Sequence, residues 1–201
     1  MATTEEKQDQ LEAERELVER VLAGVQGSFA ELVRRYQNMV FNLAYNFLGN
    51  MQEAEDLSQE VFLKVYRSLS TFRRASTLKT WIYRITSNMA LNRIKWLRRR
   101  GGNRQVSIDA GFNENLPPMS ESLPNEAPGP DRKVHGAQIR KRLMESLERL
   151  SDEQKAVVIL RDIEGLSYEE IAVTLGINIG TVKSRLARGR VSLQEMMRDL
   201  L

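Results

Sequence analysis

All five prolines of this 201-residue chain fall between Gly101 and Pro130. Proline lacks the backbone donor and clashes with the preceding helical turn, so no regular element runs through such a tract. The surrounding glycines and polar residues bury too little apolar surface to offset the entropy of ordering. On both sides of the tract, apolar residues recur at helical spacing, with no convincing period-two alternation. These features predict an all-α chain of two small helical domains joined by a flexible linker. The expected parts are a tail and first helix over 1–27, a helical domain over 28–100, a linker over 101–135 and a second domain over 136–201.

In the first half, Leu17, Val18, Val21 and Leu22 stripe a segment stopped by Gly24. Ser28 with Glu31 reads as a capping box opening a helix that carries Phe29, Leu32, Val33, Tyr36, Val40, Leu43, Ala44 and Phe47 and ends at Gly49. A third helix spans about Met51 to Leu69, with Ala54, Leu57, Val61, Phe62 and Val65 inward. A fourth runs from about Leu78 to Arg98, with Trp81, Ile82, Ile85, Met89, Ile94 and Leu97 as core candidates. Periodicity resumes near Gly136 with Ile139, Leu143, Leu147 and Leu150.

Several chemistries are excluded by what the chain lacks. With no cysteine, there is no disulfide or thiolate metal site, and the one histidine, His135, builds no metal centre alone. The carboxylates Glu53, Glu55, Asp56 and Glu60 cluster without a histidine or a second acidic cluster, which argues against a metal-dependent nuclease. Phosphate-loop, dinucleotide and nucleophile-elbow patterns are missing as well. The reading is therefore a non-enzyme with no cofactor and no metal. No apolar run reaches the roughly 20 residues of a membrane span, and the N-terminus is polar and acidic, so a cytoplasmic protein without membrane insertion is expected.

From Ser151 to Leu193 the pattern is helix, glycine stop, short helix, glycine turn and basic helix. Ser151 with Gln154 and Ser167 with Glu170 form capping boxes, and Asn178 can cap the last helix. Gly165 and Gly176 suit left-handed stops. Val182, Leu186 and Leu193 keep one face of the last helix buried, leaving Thr181, Lys183, Ser184, Arg185 and Arg188 outward. Small hydroxyls beside long cations suit a DNA major groove, where cations meet phosphates or guanine edges. This is a helix-turn-helix.

The run GNMQEAEDLSQEVFLKVYRSLSTF and the following STLKTWIYRITSNMALNRIK closely resemble region 2 of bacterial sigma factors of the short extracytoplasmic-function group. LSYEEIAVTLGINIGTVKSRLARGR resembles region 4 of the same group. The resemblance implies a non-catalytic initiation subunit that binds core RNA polymerase through the largest-subunit coiled-coil and the flap, recognises promoter DNA and promotes its melting. An anti-sigma factor is the further implied partner. Asp56, Gln59, Glu60 and Leu63 fall at i, i+3, i+4 and i+7, one stripe that the resemblance assigns to polymerase. It assigns Phe72, Lys79, Tyr83, Arg84 and Asn88 to single-stranded minus-10 DNA, with Trp81 read as core before base contact. Arg93, Lys95, Arg98, Arg99 and Arg100, in a run without an acid that reaches Arg104, are assigned to phosphates. Arg161, Thr181, Lys183, Ser184, Arg185 and Arg188 are assigned to the minus-35 duplex. The alternative is a stand-alone regulator of the LuxR type, which shares wording such as GTVKSRL.

A flexible linker of this length has an r.m.s. span of roughly 30–35 Å. Reaching across promoter elements separated by roughly 55 Å of duplex therefore stretches it. The free chain is expected to be compact or variable and the polymerase-bound chain extended.

Overall fold

The computed structural model describes residues 4–73, 76–100 and 130–198, and every regular element among them is helical. The order is α1 (Thr4–Leu22), α2 (Ser28–Leu48), α3 (Met51–Ser68), a short 3-10 turn (Leu69–Thr71), α4 (Leu78–Arg99), α5 (Pro130–Arg149), α6 (Asp152–Val158), a π turn (Ile159–Ile163), α7 (Tyr168–Leu175) and α8 (Ile179–Met197). Most of the expected linker, residues 101–129 with Arg104, lies outside the described residues. Helix α5 starts within the stretch assigned to the linker, because Pro130 suits a first helical position, where its missing N–H has no intrahelical partner to lose.

In the N-terminal half, α2 is the central rod and packs on α1, α3 and α4. Leu32, Val40, Leu43, Ala44 and Phe47 of α2 meet Ala54, Leu57, Val61 and Val65 of α3 and Ile82, Ala90 and Ile94 of α4 in a dry core. A residue such as Phe47 contributes about 1.5–3 kcal/mol by leaving water. Helix ends are set locally. Gly49 adopts φ 66° and closes α2 with its N–H on Tyr45 O at 2.8 Å. Asn50 Oδ1 accepts the Glu53 N–H at 3.0 Å to open α3, and Thr77 Oγ1 accepts the Thr80 N–H at 3.1 Å to open α4.

The start of α2 departs from the expected capping box. Gly27, left-handed at φ 79°, is the cap residue, and Ser28 is already helical. The Ser28 hydroxyl donates backwards to Val25 O at 2.6 Å, and Glu31 is drawn to Arg20 of α1 at 2.7 Å. Both capping groups are thus used to hold the α1–α2 turn. Buried Glu14 of α1 accepts the Tyr36 hydroxyl at 2.8 Å, and burial, with this carboxylate beside it, raises the phenol above its ordinary pKa.

The C-terminal half is a small bundle in which α8 packs on α5, α6 and α7. The capping boxes at Ser151/Gln154 and Ser167/Glu170 form as expected. Gly165 and Gly176 are both left-handed. The first helix of the motif does not run regularly to Ile163. It widens at Ile159, where the Glu164 N–H reaches back to Ile159 O at 3.0 Å and the Leu166 N–H to Leu160 O at 2.9 Å. Buried Gly189 brings α8 against α6: a β-carbon there would lie 2.8 Å from Val158 Cγ2. The halves also touch one another, α4 against α7 and α2 against the π turn.

Candidate nucleic-acid and polymerase interfaces

Helix α3 turns its apolar side to α2 and α4, which leaves Asp56, Gln59, Glu60 and Leu63 exposed along one stripe. Leu63 is 56% exposed, and Tyr66, three residues on, is 60% exposed with its ring edge-on to Phe29 at 4.9 Å. Sequence reasoning omitted Tyr66, although the i+3 step from Leu63 points to it. The stripe is an acidic strip ending in two apolar side chains, suited to a basic partner with an apolar pocket.

Helix α4 contains no acidic residue. Lys79, Arg84 and Asn88 are exposed along it, and half-buried Phe72 stacks at a tilt on Trp81 at 5.3 Å. Trp81 is half-buried, packed against the core as the core reading has it. Tyr83 stands apart: it is 3% exposed and covered by the C-terminal half. Its hydroxyl donates to Glu164 Oε2 at 3.0 Å, while Asn46 Nδ2 donates to Glu164 Oε1 at 3.1 Å. Burial, then the adjacent Glu164, pushes the Tyr83 phenol well above its ordinary value. Burial likewise raises the Glu164 carboxyl, against the two hydrogen bonds and Lys79, which favour its charged form.

The basic run divides by geometry. Arg93 turns inward, with a side chain only 18% exposed, and pairs with Glu53 at 3.0 Å and Glu60 at 2.7 Å. Lys95, Arg98, Arg99 and Arg100 are exposed, and Asn92, Lys95, Arg98 and Arg99 line one shallow depression. Trp96, which sequence reasoning missed, is stacked by the Arg100 guanidinium at 4.3 Å. Arg98 lies 2.8 Å from Asp152 at the start of α6, in ionic contact but off hydrogen-bond geometry.

In the helix-turn-helix, Asn178 caps α8 by accepting the Thr181 N–H at 2.7 Å and the Thr181 hydroxyl at 2.9 Å. Val182 and Leu186 are buried and Leu193 half-buried, as the spacing requires. Lys183, Ser184 and Arg188 are exposed together, with Arg185 and Thr181 at the edge of the same surface. The Arg188 Nε donates to Ser184 O at 3.2 Å, so its guanidinium is aimed along α8. Arg161 donates to Leu166 O at 2.6 Å and lies over the Tyr168 ring at 4.9 Å, with Lys183 over that ring at 5.8 Å. Arg190, also missed in the sequence, chelates Asp162 through its Nε at 3.0 Å and its Nη2, tying α8 to the π turn.

A helical bundle with an acid-free basic helix, joined to a helix-turn-helix with an exposed basic reading helix, defines a two-domain DNA-binding protein. Comparison with known proteins gives the class its family. The Sigma-70 region 2 model matches residues 32–100 and the Sigma-70, region 4 model matches residues 140–193. The chain is 35% identical over 191 residues to the RNA polymerase sigma-H factor of Pseudomonas aeruginosa, covering 94% of this chain and 96% of that one. It is 41% identical over 170 residues to the ECF RNA polymerase sigma factor SigE of Mycolicibacterium smegmatis, but spans only 62% of that longer relative. Among solved structures it is similar to the sigma factor RpoE of Bartonella quintana in complex with the anti-sigma factor NepR, at TM-score 0.59 and 28% identity over 86% of this chain and 98% of that one. CnrH in complex with the cytosolic domain of CnrY shares the fold, at TM-score 0.64 and 21% identity over 93% and 98% of the two chains. The chain belongs to the extracytoplasmic-function group of the sigma-70 family: it is a non-catalytic RNA polymerase subunit that directs transcription initiation at promoters. The stand-alone regulator falls away, because the half it needs as a sensor domain is region 2. No helix among the described residues is long and apolar enough to cross a membrane.

Proposed function

We propose that the two halves grip one promoter at two places while α3 and region 4 hold polymerase, in the cytoplasm. The α3 stripe Asp56, Gln59, Glu60 and Leu63, extended by Tyr66, docks on the largest-subunit coiled-coil. Region 4 docks on the flap. The turn before α4 and its first half, through Phe72, Lys79, Tyr83, Arg84 and Asn88, hold melted minus-10 DNA. Lys95, Arg98, Arg99 and Arg100 contact its phosphates. Lys183, Ser184, Arg185 and Arg188, with Arg161 and Thr181 beside them, read the minus-35 duplex. Stacking on unpaired bases is worth roughly 1–3 kcal/mol per base, comparable with unstacking them, so melted DNA is trapped without fuel. The observation that carries the reading is that α4 and α8, helices of different domains, each present a cluster of exposed cations, while α3 presents the exposed stripe Asp56, Gln59, Glu60 and Leu63. The complex of RpoE with NepR supports an anti-sigma factor as the further partner.

Reconstituted transcription with sigma-free core polymerase tests the division. Arg188→Ala should lose promoter selection and keep core binding, whereas Leu63→Ala with Tyr66→Ala should lose core binding. Loss of core binding from Arg188→Ala, with selection intact, would contradict it.

A further inference from the structure

The last two turns of α4 set a large aromatic ring among cations. Ile94 is buried and Leu97 packs against the core, whereas Trp96 is 38% exposed. Its ring meets guanidinium groups: Arg100 stands over it at 4.3 Å and Arg93 at 5.7 Å. Arg93 is paired with Glu53 and Glu60, while the Arg100 side chain is exposed at the end of the helix. At 3.6 residues per turn, Asn88, Asn92, Lys95 and Arg99 fall on one face of α4, and Trp96 borders that face. The depression lined by Asn92, Lys95, Arg98 and Arg99 opens on it. Cations alone suit the dipole at a helix C-terminus, so an exposed indole is not needed there. Rings interleaved with cations are what hold single-stranded nucleic acid: the ring takes the face of a base and the cations take phosphates.

We infer that Trp96 is a base-stacking site at the upstream edge of the melted DNA, and that the Arg100 guanidinium holds the place of the base until DNA arrives. A guanidinium is planar and delocalised, so it covers a ring face much as a base does. Its exposed contact with the ring is weaker than base–aromatic stacking, so the exchange runs toward DNA. The displaced Arg100 is then free to meet a phosphate. The inference rests on the proposed assignment of α4 to melted DNA, and it adds a second point of base capture to that at Asn88. The eight residues from Asn88 to Trp96 span roughly 12 Å of helix. At roughly 3.4 Å per stacked nucleotide, the two bases lie about three to four nucleotides apart. In chain order α4 is followed by region 4, the proposed holder of the minus-35 duplex, so the Trp96 base is the upstream one. Two captured bases fix the length of strand held open, which one cannot.

An abasic scan tests this. Holoenzyme is titrated into labelled fork DNA built on a promoter that it transcribes. The fork is duplex through the minus-35 element and single-stranded over the minus-10 element, each strand in turn, with one base at a time removed. For the parent protein, removing the base that stacks on Trp96 should weaken binding by roughly tenfold. Trp96→Ala should show the same roughly tenfold loss on intact DNA and no further loss at that abasic position, with core binding and salt slope unchanged. Trp96→Phe should keep most of the affinity. Arg100→Ala should leave the abasic effect in place and reduce the slope of log affinity against log salt by about 0.7. Asn88→Ala should cancel the effect of a different base, about three to four nucleotides downstream. If Trp96→Ala cancels no abasic position while Asn88→Ala cancels its own, the stacking site is refuted and the assignment of α4 to DNA survives. If neither variant cancels any position, that assignment fails and takes the inference with it.

Discussion

Gly189→Ala is the substitution whose outcome is most tightly set by geometry. The added β-carbon would sit 2.8 Å from Val158 Cγ2 and 3.5 Å from Gln154 Cβ. Val158 is branched, stiff at χ1 and buried, so it does not swing aside. Overpacking at such a site costs about 2 kcal/mol, and replacing glycine within a helix returns about 1 kcal/mol of backbone entropy. The net is destabilisation by about 1 kcal/mol, or roughly 4–8 °C in the melting of a domain this small. Val158→Ala alone removes two buried methyl groups and should cost about 2 kcal/mol. In the double variant the new methyl enters the space the valine leaves. The pair should therefore cost about 1 kcal/mol, well short of the roughly 3 kcal/mol sum. Calorimetry of all four proteins reads this directly. A rise in melting temperature for Gly189→Ala, or strict additivity in the pair, would refute close packing of α8 on α6 as the reason for glycine.

Three further outcomes are expected. Asn178→Ala should lower the stability of region 4 by about 1 kcal/mol in thermal melts, while Asn178→Asp, which keeps the accepting oxygen for the Thr181 N–H, should not. Lys183→Ala should weaken duplex binding across sequences and reduce the slope of log affinity against log salt by about 1, read by titration at several salt concentrations. Stability should depend on pH through Glu164, whose carboxyl is raised by burial, against the hydrogen bonds from Tyr83 of α4 and Asn46 of α2 and against Lys79 of α4. Because the folded value lies above the unfolded one, this contribution is complete below the ordinary carboxylate range and fades as pH rises through the raised value. The melting temperature of the parent chain should fall over that window relative to that of Glu164→Gln.

The helices were legible because their signals are local. Gly49, Gly165 and Gly176 stop helices where expected, and the caps at Ser151, Ser167 and Asn178 close on their own third residue. Ser28 carried the same signature and failed, because Val25 and Arg20 compete for its two capping groups across a turn that one-dimensional spacing does not show. The π turn at Ile159–Ile163 left no trace in an apolar pattern that fits a regular helix equally well. Among site residues, the α3 and α8 surfaces followed from periodicity, since each depends on one helix. Tyr83 and Arg93 did not, because what covers one and pairs with the other comes from elements far along the chain.

Arg93 gives the docking helix and the reading helix a common frame. Its guanidinium is pinned on two sides by Glu53 and Glu60, so α3 and α4 are braced across their solvent edge as well as through their apolar seam. On the proposed assignment, one of those carboxylates also belongs to the polymerase-facing stripe. The offset between the surface that meets polymerase and the surface that meets bases is then fixed when region 2 folds. Polymerase that grips α3 inherits this offset, like a tool held by a handle already set at its working angle.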